Sequence, residues 1–280
     1  MKKTSKQSNR RTKTDRVTIG NATLYLGDCF DVLSKLDMEL DTVISDMPYG
    51  VTDCDWDKVP PLDKFWTMIE KRAKPSANVV LFGCGKFSHR LYNSNPKGYR
   101  YDMIWVKNRR VGFLNANLMP MRSHESILVF GQPSFRKEAV YNAQKTPGGR
   151  IGTKKRNHTS SVYDNRGEHV HYSDGSLHPG SALYFKSDMG SHPTQKPLAL
   201  MEFLVRSYSN ENDIVLDCFM GSGSTGVAAI NTGRRFIGIE REPLYFDIAC
   251  KRIGRAYDER RVYHALWSST TATGRIFRQC

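Results

Sequence analysis

Residues 213–233 read DIVLDCFMGSGSTGVAAINTG. The stretch opens as an apolar run of strand length, IVLDCF. It breaks on glycines in FMGSGSTG and resumes with the spacing of a helix. A strand that feeds a helix through a glycine turn is the repeating unit of a parallel α/β sheet. The next segment, RRFIGIERE, reads as a second strand, and it ends on Glu240, 17 residues beyond Gly223. Glycines at the turn let a ligand come close to the backbone. The helix N-terminus behind them offers unpaired N–H groups and the positive end of its dipole. An acid closing the following strand is placed to accept from ribose hydroxyls. The stretch therefore predicts a nucleoside-containing cofactor lying across the strand ends.

Gly221, Gly223 and Gly226 match the G-x-G-x-x-G spacing of dinucleotide sites. No basic phosphate clamp stands near them, however. A dinucleotide and a phosphate-free nucleoside such as S-adenosylmethionine both remain open on this turn alone.

Outward from it, the chain alternates strand and helix. ATLYLGD reads as a strand followed by the helical CFDVLSKL, and DTVISDMPYG as another strand. PLDKFWTMIEKRAK is helical, and SANVVLFG, YDMIWVK and ESILVFG are strands. PLALMEFLVRSYS is a helix, and EPLYFDIACKRI is a helix with Leu244, Ile248 and Ile253 facing inward. The expected fold is α/β, a sheet covered by helices on both faces. Residues 132–190 break the pattern. They are rich in Gly, Ser, Asn and His, and carry nine Lys/Arg against five Asp/Glu. Long loops inside a compact domain are uncommon unless functional, so this reads as a basic insertion that contacts nucleic acid. The stretch after about Arg255 is basic, and its pattern assigns it no element.

The 280 residues carry a formal net charge of +14, which points to a polyanionic partner. Part of that excess is local. MKKTSKQSNRRTKTDR holds seven Lys/Arg against one Asp and is predicted to be disordered. No run of about 18 apolar residues is present, so no membrane span is expected. The N-terminus has no apolar core of a secretory signal, and a cytoplasmic protein is expected. The six cysteines are scattered without zinc spacing, which predicts reduced thiols. Asp53, Asp55 and Asp57 alternate in TDCDWDK; they read as a solvated loop, and no metal is expected.

The strand ending in SDMPYG, residues 45–50, closes on a carboxylate, a rigid turn and an aromatic ring. That set suits a nucleobase with an exocyclic amino group. The nitrogen's lone pair is delocalised into the ring, and two acceptors, one per N–H, draw it toward tetrahedral geometry. Asp46 and the carbonyl of Met47 supply acceptors, Pro48 stiffens the turn, and Tyr49 offers a stacking face. A base in a duplex must first be flipped out.

These motifs together resemble the β-class DNA amino-methyltransferases, which methylate adenine N6 or cytosine N4 with S-adenosylmethionine. SDMPYG resembles the family's Asp-Pro-Pro-Tyr motif and DCFMGSGSTGVAA its cofactor motif. SHPTQKP resembles the motif before the cofactor helix, and LGDCFDVLSKL the opening motif. IWVKNRRVGFLNANLMPMRSHESILVF resembles the middle of phage-type members. The likeness runs from about Ala22 to Ile253. It implies a Rossmann-like methyltransferase sheet with circularly permuted motif order, because the cofactor strands come last, and so implies termini lying close together.

The implied organisation is a disordered basic tail (1–18), a catalytic half (19–131), a target-recognition insertion (132–190), a cofactor-binding half (191–256) and a C-terminal extension (257–280). By the resemblance, Asp46, Met47, Pro48 and Tyr49 are catalytic. Asp28, Cys29, Thr194, Lys196, Asp217, Phe219, Gly221, Gly223 and Glu240 serve the cofactor, with Asp28 on its adenine amino group, Glu240 on its ribose, and Thr194 and Lys196 on its carboxylate. Asp217 also reads as structural at its strand end. Arg109, Arg110, Lys154, Lys155, Arg156 and Arg166 are expected on DNA, with Tyr163, His169, His171 and Tyr172 beside them. His124 and Glu125 begin a strand near the base pocket. Met47 departs from the family's first proline. Asp46 favours adenine, since the cytosine-modifying motif usually carries Ser there. Cytosine N4 is the alternative target, and a DNA-binding regulator with a residual cofactor pocket the alternative function. Double-stranded DNA is the implied partner, a homodimer the implied assembly, and restriction–modification or a phage the implied setting.

Overall fold

The computed structural model describes residues 15–52, 54, 57–131, 139–158, 167–187 and 195–272. The central sheet is built from β1 (Asp15–Ile19), β2 (Ala22–Leu26), β3 (Leu40–Ser45), β4 (Ala73–Gly83), β5 (Tyr99–Val111), β6 (Arg122–Gly131), β9 (Ala182–Tyr184), β10 (Ile214–Asp217) and β11 (Arg235–Glu240). Their order across the sheet is β1-β2-β11-β10-β3-β4-β6-β5-β9. The inner strands β2, β11, β10, β3 and β4 are parallel, β6 enters antiparallel, and β5 is antiparallel to β6.

The buried centres of the parallel strands are apolar because both of their faces are covered. Their residues alternate between two cores. Ile44, Val80, Phe82 and Val215 pack against α4 (Leu198–Tyr208), α5 (Ser224–Asn231) and α6 (Pro243–Ala272) through Leu204, Val227 and Ile253. Val43, Leu81 and Leu216 face α1 (Cys29–Lys35), α2 (Leu62–Glu70) and α3 (Lys86–Ser94) through Leu33, Phe65 and Leu91. This is the α/β sheet expected from the sequence, with α3 as a helix that the pattern reading did not assign.

The permuted order is also realised. β10 and β11 lie at the sheet's centre although they come last in the chain. The β1–β2 turn packs on the middle of α6: a Cβ at Gly20 would come within 2.0 Å of the Tyr257 ring.

Several expectations need correction. The basic tail drawn over 1–18 is strand from Asp15, where β1 pairs with β2; residues 1–14 lie outside the described residues. The insertion is not loop alone. β7 (Thr146–His158) and β8 (Gly167–Leu177) form an antiparallel ribbon of their own, and β9, inside the same 132–190 span, belongs to the main sheet beside β5. The ribbon escaped notice because a strand pair with glycines and charges on both faces shows no apolar alternation. The boundary at 256/257 falls inside α6, which runs unbroken to Ala272. Leu244 is exposed; Phe246, Ala249 and Ile253 make that helix's buried face. Cys29, Cys54, Cys84, Cys218 and Cys250 are free thiols, as expected. No helix among the described residues is long and apolar enough to cross a membrane.

Candidate active site

At the carboxyl edge of the parallel strands lies a cleft of about 770 Å³. Its walls are the loop after β3, the turn after β10 and the ends of β5, β6 and β11. The two motifs singled out in the sequence therefore face one space. Asp28, Cys29, Asp46, Met47, Pro48, Tyr49, Lys196, Asp217, Phe219, Gly221 and Glu240 all line it.

One half is built around backbone and glycine. Gly221 takes φ +51°, and a Cβ placed on it would meet nothing within 4 Å, so the bare backbone opens on the cleft. Gly221 N donates to Glu240 Oε2 at 2.9 Å and Glu242 N to Oε1 at 2.8 Å. The Glu240 carboxylate is thus fixed at the edge of the turn, and burial raises its pKa. Asp28 caps α1 by accepting from Phe30 N at 2.9 Å while it lines the cleft. Cys29 is buried, and burial pushes its thiol up to about 12, so it stays a neutral wall. These residues fit a nucleoside with a short amino-acid arm: a bare turn, an acid at the end of the neighbouring strand, and Phe219 on the same cleft wall.

Gly223 does not share that role. It caps α5 at φ +82°, and a Cβ there would lie 2.9 Å from the Ala249 Cβ of α6. Its glycine serves packing away from the cleft. Asp217 is a tie. Oδ1 accepts from Ser45 Oγ at 2.6 Å and Phe219 N at 3.1 Å, and Oδ2 accepts from Thr225 Oγ1 at 2.6 Å. It joins the end of β3 to the end of β10 and the start of α5. Burial pushes its carboxyl up to about 6, against the pull of those hydrogen bonds.

The other half is built from charge. Tyr49 donates its hydroxyl to Asp46 Oδ1 at 2.5 Å. Lys196 pairs with Asp46 Oδ2 and lies 3.2 Å from Glu125 Oε2, while Lys107 pairs with Glu125 Oε1. Lys196 and Glu125 are both only 8% exposed. Burial lowers the Lys196 pKa, but the carboxylates of Asp46 and Glu125 outweigh it and raise the value overall. Burial raises that of Glu125, and its two lysines more than offset this. Burial and then Asp46 hold the Tyr49 phenol far above its ordinary value, so it remains a donor.

The loop itself is shaped by Asp57. Its carboxylate accepts from Gly50 N (2.8 Å), Val51 N (2.9 Å), Thr52 N (2.7 Å) and Thr52 Oγ1 (2.8 Å). Of the alternating acids read as a solvated run, Asp57 is instead a buried clamp; Asp53 and Asp55 lie outside the described residues. Met47 is 1% exposed and fills the core above α1 and α2. That explains how it replaces a proline: packing, rather than a ring, fixes the turn. Tyr49 stacks one face on Phe87, with centroids 5.0 Å apart and planes at 28°.

The remaining expectations divide. Lys196, expected at the cofactor carboxylate, sits instead on Asp46 and Glu125. Glu125 joins the site, whereas His124 points to solvent. Arg109 lines the cleft mouth and Arg110 is exposed on β5. Thr194, Tyr163 and Arg166 lie outside the described residues, as do the side chains of Lys154, Lys155, Arg156, His169 and His171. Tyr172 is exposed on β8. Sequence reasoning missed Lys107, Phe87 and the Asp57 clamp. The one available signal was Lys107 at an alternate position to the buried Trp105 on β5.

A model of the DNA methylase family (N6/N4 methyltransferases) matches residues 40–251, and the chain belongs to this family. It is 28% identical over 264 residues to the Type II methyltransferase M2.LlaDCHI of Lactococcus lactis subsp. cremoris, covering 84% of this chain and 90% of that one. It is 29% identical over 259 residues to the Type II methyltransferase M2.DpnII of Streptococcus pneumoniae, covering 82% and 88%. Among solved structures, the M1.HpyAVI–SAM complex superposes with TM-score 0.57 at 27% identity, covering 83% of this chain and 99% of that chain. The cytosine-N4-specific PvuII methyltransferase shares the fold with TM-score 0.60 at 17% identity, covering 86% and 93%.

Proposed function

We propose that the protein methylates the N6 amino group of an adenine flipped out of duplex DNA, as the modification arm of a bacterial or phage restriction–modification system, acting in the cytoplasm. The coarser part of this reading is the family's own: a DNA amino-methyltransferase that uses S-adenosylmethionine. When bound, the cofactor supplies a methyl group activated by its sulfonium. The turn at Phe219 and Gly221 and the Glu240 carboxylate would hold it, with Asp28 on the side of its adenine.

The chain's own work is positioning and electrostatics. Asp46 accepts one N–H of the target amino group and the Met47 carbonyl the other, which localises the lone pair on nitrogen. Tyr49, backed by Phe87, gives the base a stacking face. Stacking returns roughly 1–3 kcal/mol against a flipping cost of about a few kcal/mol. Arg109 at the mouth, Arg110 exposed on β5 and the basic β7–β8 ribbon carry the duplex. The observation that supports the reading is that Asp46, Tyr49, Gly221 and Glu240 line one cleft.

Adenine is favoured over cytosine by Asp46, where the cytosine-modifying motif usually carries Ser. The homodimer implied by the resemblance would use the exposed apolar tip between β5 and β6, where Phe113 is 79% and Leu114 96% exposed.

The test is transfer of a labelled methyl group to duplex DNA followed by nucleoside analysis. N6-methyladenine is expected, with loss of label on Asp46→Ala. N4-methylcytosine would reassign the target. Full turnover in Asp46→Ala would remove the catalytic assignment, and cofactor binding without transfer to any DNA would favour the regulator.

A further inference from the structure

Both oxygens of Asp46 are engaged within the chain, Oδ1 by the Tyr49 hydroxyl and Oδ2 by the Lys196 ammonium. An amino group that is to donate to Asp46 must therefore share that carboxylate's lone pairs with them, and it competes with whichever of the two can draw back. Tyr49 is fixed by its stacking on Phe87. Lys196 has somewhere else to go. Glu125 Oε2 lies 3.2 Å from its nitrogen, as an ion pair without an aligned hydrogen bond, and that oxygen is buried with no hydrogen-bond partner among the described residues. That ion pair is longer than the one to Asp46, and a small movement of the ammonium would tighten it. Lys107 on the other oxygen keeps Glu125 in place. The Phe82 ring, 4.9 Å from the Lys196 nitrogen, floors the path between the two carboxylates with a face that tolerates a cation.

Resting on the methyltransferase reading above, we propose that Lys196 shuttles between two carboxylates, holding Asp46 Oδ2 until a base enters and then moving onto Glu125 Oε2. Glu125 is thereby a positioning residue for methyl transfer. It frees Asp46 for the substrate amino group at the moment of need, and it keeps a compensating cation inside the site. No proton changes hands in the exchange; the substrate N–H donates to Asp46 as the ammonium draws back from it, and the ion pair to Glu125 shortens.

The groups facing Lys196 set the expected pH behaviour. Asp46 and Tyr49 face it from the loop after β3, Cys84 from the end of β4, Lys107 from β5 and Glu125 from β6. Two carboxylates favour its charged form. Removing one lowers its pKa, so the alkaline limb of the rate profile moves down.

The test uses the full chain, labelled methyl transfer to duplex DNA and the variants Glu125→Gln, Lys196→Met and their combination. Glu125→Gln should lower kcat roughly tenfold to a hundredfold, leave KM for S-adenosylmethionine unchanged, and move the alkaline limb down by about one pH unit. The double variant should be no slower than Lys196→Met alone, because Glu125 acts through Lys196. Additive losses, or a Glu125→Gln enzyme that loses thermal stability while its pH profile stays put, would show a structural role and overturn the proposal. If Glu125→Gln does not fold, Glu125→Asp decides: kcat should fall while the alkaline limb holds, and unchanged kcat overturns the proposal. A wild-type chain that methylates DNA while the cycle is additive defeats only the shuttle. A wild-type chain that methylates nothing defeats the parent reading and the shuttle with it.

Discussion

β3 and β10 lie side by side and end at the same edge of the sheet, yet the loops that leave them are held by different forces. The loop after β3 is held by charge: Asp46 to Lys196, and Asp57 to three backbone N–H groups and a hydroxyl. The turn after β10 is held mainly by shape, with a bare Gly221 and glycines at 223 and 226 that admit α6 and Phe236, although Glu240 also accepts from Gly221 N and Arg252 donates to the Ser222 carbonyl. One loop must respond to an arriving amino group, and the other must present an unchanging cradle. Substitutions that conserve volume but remove charge should injure the first, and substitutions that add volume should injure the second. Asp217 joins the two and should report on both.

The largest effect is expected at the shape-held turn. A Cβ at Gly226 would stand 2.4 Å from Ile253 Cδ1 and 2.7 Å from Phe236 Cε1, both in the buried core. Gly226→Val cannot be absorbed without moving α5 off β11 or α6. Overpacking of this kind costs about 3 kcal/mol. Urea unfolding should show a lowered midpoint at unchanged slope. A wild-type midpoint would mean that α5 has more room than its contacts indicate, and the contrast with the charged loop would lose its steric half.

Next is the tie between the loops. The Asp217 carboxyl, ordinarily at 3.8, sits at about 6 in the fold. The folded state therefore holds its proton more tightly than the unfolded chain. The stability this group contributes is full below pH 3.8 and is lost as pH rises through about 6. The full excursion is on the order of 3 kcal/mol for a shift of this size. Asp217→Asn has no such proton. The stability of wild type relative to the variant should fall between pH 4 and pH 6 and then level off, as followed by urea midpoints across that range. A difference that stayed flat would show the carboxyl to be unperturbed by its burial.

The unequal legibility of the two loops has the same origin. The glycine turn and the SDMPYG loop could both be read because each is a local pattern: strand, breaker, helix in one case, and strand end with acid, proline and ring in the other. The meaning of Gly226 was not local, since it depends on Ile253 and Phe236. Lys196 was placed near the cofactor from its motif, but its partners come from the loop after β3 and from β6, and no run of sequence joins them. The three acids at 53, 55 and 57 look alike in a row; only the path of the loop makes Asp57 the clamp. The β7–β8 ribbon and the second half of α6 were unreadable for another reason. Both are rich in charge, with no sustained apolar face, so the periodicity that marks an amphipathic element is missing.

Asp57 offers the finest probe of the charge-held loop, because both of its carboxylate oxygens are spent on the loop's own N–H groups and hydroxyl. Burial pushes its pKa up, but hydrogen bonds from Gly50, Thr52 and Val51 more than offset this, and the value ends below the ordinary 3.8. Its clamp is therefore intact above that pH and is lost only as pH falls through the lower, folded value. At neutral pH the loop is fully held. Asp57→Asn keeps the size of the side chain but turns one acceptor into a donor, facing backbone N–H groups that cannot turn away. The loop should shift, carrying Asp46 and the Met47 carbonyl with it. The expected result is a loss of about tenfold in kcat with S-adenosylmethionine affinity unchanged, measured by steady-state methyl transfer and by calorimetric titration of the cofactor. If kcat held while cofactor affinity fell, the two loops would be coupled at this point rather than divided, and charge could no longer be assigned to one and shape to the other.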